Sequence, residues 1–164
     1  MEVIIVCGAP ASGKTTYVKN NMTIGDLVID LDAIRCAIGF VEGKTPVNNL
    51  LPVVKSIRNH LYELIKTGKI DAPRCWVIAG LPKQSDRVNL AAELHAKIVY
   101  MDVTEEECIE RAANDENRAD KMLQAEIITN YFSTMYEDCG RKPQQKRGVA
   151  AARNIATLFK NIED

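Results

Sequence analysis

The sequence carries almost no net charge, since 21 lysines and arginines balance 22 aspartates and glutamates to give −1 at pH 7. A near-neutral chain has no general attraction for nucleic acid or for an anionic membrane. Any contact with a polyanion must therefore come from a local cluster of basic residues. Long hydrophobic runs are also lacking, and the apolar segments are too short and interrupted to span a bilayer. The first predicted strand begins almost at the N-terminus, so we expect no signal peptide.

Paired cysteines are lacking too. The five cysteines are odd in number and widely scattered, with no C-x-x-C motif and no Cys/His ligand spacing. This pattern excludes a disulfide framework and a cysteine-based metal site. We expect reduced thiols that pack as small apolar side chains, and a cytoplasmic location. They are Cys7, Cys36, Cys75, Cys108 and Cys139.

The 164 residues are enough for one α/β domain with a sizeable core, and no internal repeat or second domain is visible. Short β-branched runs alternate with segments of helical periodicity, which predicts right-handed crossovers and a central, mostly parallel sheet flanked by helices. The predicted strands are 3–7, 27–29, 75–79 and 97–101, and the predicted helices lie at about 14–20, 33–38, 47–66, 85–95, 104–113, 119–138 and 149–160. We expect Ser85 to cap the fourth helix and Thr104 with Glu107 to form a capping box on the fifth.

The most specific motif lies between the first strand and the first helix, where Gly8 to Thr15 reads G-x-x-x-x-G-K-T. This is the pattern of a phosphate-binding loop, in which backbone N–H groups curl around an anion. The glycines permit the tight turn, and the following helix adds the positive end of its dipole. We therefore predict a nucleotide site. Its binding residues are Gly8, Ala9, Pro10, Ala11, Ser12, Gly13, Lys14, Thr15 and Thr16.

The motif also predicts a triphosphate and a metal. Lys14 would reach the β- and γ-phosphates, and the Thr15 hydroxyl would bind Mg²⁺. ATP and Mg²⁺ are therefore the expected cofactors, although the sequence does not distinguish ATP from GTP. Asp30, which ends the second predicted strand, would either face waters of the Mg²⁺ ion or only terminate the strand.

Candidate residues for binding and activating the phosphoryl acceptor follow the second strand, in Asp30-Leu31-Asp32-Ala33-Ile34-Arg35. A carboxylate at this edge of the sheet can accept the proton of an attacking hydroxyl, which is the catalytic role we predict for Asp32. Arg35, one helical turn later, can hold an anionic acceptor with its planar guanidinium. The alternative is that Asp32 only caps a helix and Arg35 is its solvated partner.

Two arginines flank a polar break, Asn114-Asp115-Glu116-Asn117, after the fifth predicted helix. We predict that residues 111–120 form a small, mobile lid. In it Arg111 and Arg118 would neutralise transition-state charge and exclude water. Ordinary solvated arginines are the alternative.

Together the phosphate loop, Asp32-x-x-Arg35 and the Arg111/Arg118 lid resemble the kinase domain of phage polynucleotide 5′-kinase and its group of small P-loop kinase-like proteins. The resemblance covers most of residues 2–140 in the order of elements. It implies a three-layer P-loop kinase fold and phosphoryl transfer from ATP to the 5′-hydroxyl of a nucleic acid. It further implies that Asp32 activates the hydroxyl, that Arg35 positions the acceptor, and that the lid arginines hold the ATP phosphates.

The sequence leaves other kinds of function open. Ala79-Gly80-Leu81-Pro82 stands where that group has an acidic or polar residue, so Asp30 or water would complete the metal site. The D-x-D pair Asp30/Asp32 is also similar to shikimate kinase, which makes a small-molecule kinase the first alternative. An ATP-dependent switch protein without an acceptor is the second. A nucleic-acid acceptor would need a basic groove, to which Lys83, Arg87, Arg141, Lys142, Lys146 and Arg147 are candidates.

Overall fold

The central sheet contains four parallel strands in the order β2-β3-β1-β4. The computed structural model describes residues 1–40, 48–118 and 120–140. The strands are β1 Glu2–Gly8, β2 Leu27–Asp30, β3 Arg74–Ala79 and β4 Lys97–Met101. The helices are α1 Lys14–Asn21, α2 Leu31–Gly39, α3 Leu51–Lys66 with a 3-10 turn Asn48–Leu50 before it, α4 Gln84–Leu94, α5 Glu105–Asn114 and α6 Lys121–Asp138.

Strand β1 lies between β3 and β4, and its apolar run is buried. Its pairing with β3 places Val6 beside Ile78, and its pairing with β4 places Val6 beside Val99. Continuous β-branched runs of this kind are typical of a parallel strand with helices above and below it. Strand β2 pairs with the far side of β3, so that Asp30 lies beside Ile78 at the carboxyl edge.

Two core clusters on opposite faces of the sheet make the fold three-layered. On one face Ile5 packs with Tyr62 and Ile65 of α3 and with Leu94 of α4. On the other face Val6 belongs to the cluster that contains Val18 of α1. Each fully buried aliphatic side chain of this kind contributes roughly 1.5–3 kcal/mol to folding. The predicted α/β P-loop architecture is thus confirmed.

A third cluster lies at the carboxyl edge and joins α5 and α6 to the loop after β1. Ala9 of that loop packs with Cys108 and Ala112 of α5 and with Ile128 and Phe132 of α6. Helix α6 is therefore anchored beside the phosphate-loop sequence by apolar contact.

Local predictions for the helix ends had different outcomes. The capping box of Thr104 and Glu107 is confirmed, with both reciprocal bonds present. The prediction that Ser85 caps α4 is wrong, because the cap residue is Lys83 and has no side-chain cap bond. Instead the backbone N–H of Gln84 donates to Oδ2 of Asp138 at 2.7 Å, so a carboxylate from the end of α6 satisfies it.

Several predictions lie outside the described residues. They include the final helix at 149–160 and the four basic residues Arg141, Lys142, Lys146 and Arg147. The segment between the predicted helices at 33–38 and 47–66 falls mostly in 41–47, also outside. Helix α6 begins at Lys121, with Asp120 as its cap, two residues later than its predicted start.

All five cysteines lie in the described ranges, and none forms a disulfide. Burial raises the pKa of the Cys7 and Cys108 thiols and raises that of Cys75 to about 12. Buried thiols with raised pKa values are unreactive, as expected for packing residues. In the part of the chain that is described, no helix is both long and apolar enough to cross a membrane.

The indole of Trp76 connects β3 to the turn before β2. Its Nε1 donates to Oδ2 of Asp26 at 3.0 Å, and the guanidinium of Arg74 both pairs with that carboxylate and lies over the indole ring. On the side of α1, the Tyr17 ring meets Trp76 edge-on with 6.4 Å between centroids. These hydrogen bonds, first among them that of the indole, lower the pKa of Asp26.

Candidate functional site

The loop between β1 and α1 has a backbone that requires glycine at its two ends. Gly8 has φ +150°, and a Cβ there would lie 2.9 Å from Cβ of Met101. Gly13 has φ +91° and is the cap residue of α1. Inside the loop the N–H of Ser12 donates to the carbonyl of Ala9 at 3.2 Å, which closes the turn. The motif glycines are therefore used as the sequence predicts.

Lys14 is the first residue of α1, and its side chain folds back across the loop. The ammonium Nζ donates to the carbonyl oxygens of Gly8 at 2.9 Å and Ala9 at 2.6 Å. A positive charge is thus held directly above the turn. An anion that entered the loop would meet this ammonium.

Two observations test whether a triphosphate fits this loop. The first turn of α1 has no acidic residue and no side-chain cap, so its N–H groups and dipole are left for an anion. The hydroxyl of Ser12 is buried, and no residue in the described ranges makes a hydrogen bond with it. A buried polar atom without a partner indicates a ligand or water. The residues present fit a phosphate group.

The loop opens into a cavity of about 1280 Å³ at the carboxyl edge of the sheet. Sites for one small ligand are roughly 300–1,000 Å³, so this cavity has room for a nucleotide and a second molecule. The structure brings the predicted residues Lys14, Thr15, Asp30, Asp32, Arg35, Arg111 and Arg118 together in its lining, with Pro10, Ala11, Ser12, Gly13 and Thr16. Gly8 and Ala9, at the start of the loop, are not part of the lining.

One wall of the cavity is the start of α2. Asp30 is the cap residue of that helix, and its Oδ1 accepts from the N–H of Asp32 at 3.0 Å. Asp32 itself is in the first turn, and its Oδ1 lies 2.9 Å from Nη2 of Arg35. The Nε of Arg35 is buried, with no hydrogen-bond partner in the described segments. An anion beside Arg35 would supply the missing acceptor.

Another wall is the polar turn between α5 and α6, where a lid is predicted. Arg111 is exposed in the last turn of α5. Arg118 is only 6% exposed, and its Nε donates to Oδ2 of Asp115 at 2.9 Å. One Nη of Arg118 also donates to Oε1 of Gln124. Both arginines line the cavity, but only Arg118 has hydrogen-bond partners among the residues that the structure describes.

The floor of the cavity is the end of β3, where no carboxylate is present. The carbonyl of Gly80 accepts from the N–H of Gly8 at 3.2 Å and from the hydroxyl of Tyr131 at 3.3 Å. Leu81 follows with φ +53°, and its carbonyl accepts from Nη1 of Arg87 at 2.8 Å. The guanidinium of Arg87 also lies 4.9 Å from the ring centre of Tyr100. Arg87 is thus engaged within the fold, although the sequence made it a candidate for a basic groove.

Sequence reasoning missed Gln124 and Tyr131, which also line the cavity. Both fall in the apolar periodicity of α6, where a buried position indicates core rather than site. Only the tertiary contacts of Gln124 with Arg118 and of Tyr131 with Gly80 reveal them.

The described residues do not by themselves form a complete set of metal ligands. No group of three or more His, Cys, Asp or Glu side chains that could hold a metal occurs in residues 1–40, 48–118 and 120–140. Magnesium sites commonly use one or two protein oxygens together with substrate phosphates and water. The Thr15 hydroxyl and the Asp30 carboxylate, both in the cavity lining, are groups of that kind.

A parallel α/β sheet with G-x-x-x-x-G-K-T at the end of its central strand, opening into a carboxyl-edge cavity, defines a P-loop nucleotide-binding domain. Within that class the family is also shown. The AAA domain family AAA_33 matches residues 3–137, and the chain belongs to it.

One solved structure supports the fold, and a second is also similar. The chain is similar to one from the "Pnkp1/Rnl/Hen1 RNA repair complex", with a TM-score of 0.63 at 13% identity. That match covers 87% of this chain but 46% of the other, so this chain spans about half of its length. A second is shikimate kinase from Acinetobacter baumannii in complex with shikimate, with a TM-score of 0.49, 15% identity, and coverage of 98% and 94%. A comparison with curated proteins found no match. The predicted resemblance to P-loop kinases is confirmed at the level of family and fold.

Proposed function

We propose that the protein is a kinase that transfers the γ-phosphoryl group of ATP to a hydroxyl acceptor, most favourably the 5′-hydroxyl of a nucleic acid. One observation carries the proposal. A carboxylate paired with an arginine, Asp32 with Arg35, lines the same cavity as Lys14 of the phosphate loop. Such a pair can position and deprotonate a second molecule, a role that nucleotide binding alone does not require.

In the nucleotide half, the loop amides and the Lys14 ammonium bind the phosphates. Lys14 would exchange its present carbonyl partners, Gly8 and Ala9, for phosphate oxygens. Arg111 and Arg118 face the same space and would stabilise the charge that develops on the transferred group. Mg²⁺, held by the Thr15 hydroxyl with Asp30 and phosphate oxygens, would neutralise phosphate charge.

In the acceptor half, Asp32 accepts the proton of the attacking hydroxyl. The Asp32 side chain is 54% exposed, so its free oxygen is accessible to a ligand in the cavity. Arg35 would bind an anionic part of the acceptor through its buried Nε, which has no hydrogen-bond partner among the described residues. Catalysis then consists mainly of positioning and electrostatic stabilisation, as in phosphoryl transfer generally.

The nucleic-acid acceptor is supported by the Asp32-x-x-Arg35 pattern and by the shared fold with the structure of the RNA repair complex. A small hydroxylated metabolite is the second candidate. It is favoured by Arg87, whose guanidinium donates to the carbonyls of Leu81 and Pro82 and is therefore not available to a basic groove. In either case we propose a cytoplasmic location.

The test is ³²P transfer from labelled ATP to a panel of acceptors: DNA and RNA oligonucleotides with 5′-hydroxyl ends, nucleosides and small polyols. The proposal expects label on the oligonucleotides, with 5′-phosphorylated versions as the matched control that accepts none. Label on a metabolite alone would reject the nucleic-acid acceptor and keep the kinase. Acceptor-independent release of phosphate alone would indicate a switch ATPase instead.

A further inference from the structure

The guanidinium of Arg118 is fixed although it lines an open cavity. Its Nε and one Nη are bonded to Asp115 and Gln124, and its backbone N–H donates to the carbonyl of Asp115 at 3.0 Å. A guanidinium has five N–H donors, so the second Nη remains. No residue of the described ranges accepts a hydrogen bond from it. Arg118 is therefore held in one place while donors remain for an anionic ligand.

The turn that carries Arg118 is closed by further bonds at both ends. Oδ1 of Asp115 accepts from the backbone N–H of Asn117 at 3.1 Å. The ammonium of Lys121 donates to the carbonyl of Asp115, and the side chain of Asp120 caps α6. Gln124 lies just after this cap and is 9% exposed. The backbone of Gln124 is thus fixed by the helix independently of the bond between its side-chain amide and Arg118.

Arg111 provides the internal contrast. It lines the same cavity, is exposed, and makes no hydrogen bond or ion pair with any residue in the described parts of the chain. Its long side chain must lose rotamer freedom when it meets a ligand. Arg118 has already lost that freedom in folding. The two arginines of the turn therefore have different roles.

We infer that Gln124 is a positioning residue that holds Arg118 in the orientation required for phosphoryl transfer without adding a second negative charge beside it. The inference rests on the proposed function and deepens it. Asp115 already provides one carboxylate to this guanidinium at 2.9 Å. A second carboxylate would leave the three side chains with a net negative charge, which repels phosphate. An amide supplies the same acceptor oxygen and remains neutral.

Two substitutions separate orientation from charge. Gln124→Met keeps the side-chain length but removes the acceptor, so kcat should fall roughly five- to a hundredfold, with the Kd for MgATP nearly unchanged. Gln124→Glu keeps the acceptor oxygen and adds charge. It should weaken MgATP binding, and the loss should grow as pH rises and the new carboxyl ionises. Glu126→Gln, at an exposed position of the same helix, is the matched control and should behave as wild type.

A double-mutant cycle tests whether Gln124 acts through Arg118. If it does, Arg118→Met with Gln124→Met should be no slower than Arg118→Met alone. Losses that add, a Gln124→Met protein with wild-type kcat, or a pH-independent Gln124→Glu protein would each overturn the inference. Thermal unfolding of every variant, with assays well below its Tm, removes any effect of lost folding.

The result is separable from that of the proposed function. A wild-type protein that labels no acceptor rejects the function. Calorimetric MgATP binding by wild type, Gln124→Met and Gln124→Glu then tests the charge part of the inference: weaker binding only by Gln124→Glu supports it, and equal affinities of the three proteins overturn it.

Discussion

Asp32 and Arg35 lie one turn apart on α2, with Oδ1 of the aspartate 2.9 Å from Nη2 of the arginine. The arginine side chain is 16% exposed and the aspartate side chain 54%. Partly exposed ion pairs on a helix contribute little to stability, roughly 0–1 kcal/mol. The pair is better explained by orientation, because it fixes one oxygen of Asp32, a residue that lines the cavity.

Asp32→Asn should abolish transfer and leave ATP binding nearly intact. Asparagine keeps the size of the side chain and an oxygen for Arg35, but it cannot take a proton from the acceptor. Loss of a general base typically costs about 10²–10⁴-fold in rate. Single-turnover transfer and calorimetric ATP binding measure the two effects. Asp86→Asn, at an exposed site in the first turn of α4, is the control. Transfer by Asp32→Asn at near the wild-type rate would show that Asp32 is not the base.

Lys14→Met should weaken ATP binding by roughly ten- to a hundredfold, because a hydrogen bond to a charged group is worth about 1.5–3 kcal/mol. The ammonium that now contacts Gly8 and Ala9 is the charge that phosphate would meet. Equilibrium binding of a fluorescent ATP analogue measures the change. Lys55→Met, an exposed lysine of α3, should bind as wild type does. Equal affinity of both variants would remove Lys14 from the nucleotide site.

Gly8→Ala and Gly68→Ala should differ in their cost to stability. Gly68 has φ +65° and open space around a new Cβ, so its substitution costs only backbone strain, roughly 1–2 kcal/mol. Gly8 combines an unfavourable φ with a Cβ 2.9 Å from Met101, so about 1–3 kcal/mol of overpacking is added. Urea unfolding measures the free energy of both variants. If the two lose the same stability, the contact with Met101 has relaxed at no cost.

Asp26 should make the protein less stable in acid. Hydrogen bonds from Trp76 and Thr23, together with Arg74, lower the pKa of this carboxyl below its ordinary 3.8 in the folded state. The folded state then binds fewer protons than the unfolded chain. The stabilisation is complete above the ordinary value and is lost as pH falls towards the lowered one. Urea unfolding followed by circular dichroism between pH 7 and 3 should show this loss. It should be smaller in Asp26→Asn and unchanged in Asp71→Asn, an exposed control. A profile that Asp26→Asn leaves intact would contradict the assignment.

The sequence predicted the parts of the fold that depend on neighbouring residues. The loop from Gly8 to Thr15 is contiguous, and the Thr104 capping box spans one turn, so both could be recognised without tertiary information. The α/β alternation likewise follows from local periodicity. The residues around Asp32 were found because parallel strands end at one edge of the sheet.

What the sequence could not predict depends on distant contacts. The N–H of Gln84 is satisfied by Asp138, 54 residues later, and no local pattern indicates that substitute for a Ser85 cap. Arg87 is a basic residue in the sequence, but the fold commits it to the carbonyls of Leu81 and Pro82. Arg118 was predicted to lie in a lid at 111–120, and that prediction stays open, but its burial and its bond to Gln124 depend on the packing of α6 and have no local sequence signal.

The position of Trp76 gives the protein a built-in optical probe. It is the one tryptophan of the chain, is 3% exposed, and lies edge-on to Tyr17, whose ring borders the cavity. Intrinsic tryptophan emission therefore comes from a single known place, beside Tyr17 of α1. Ligand occupancy can be followed by fluorescence without any attached dye.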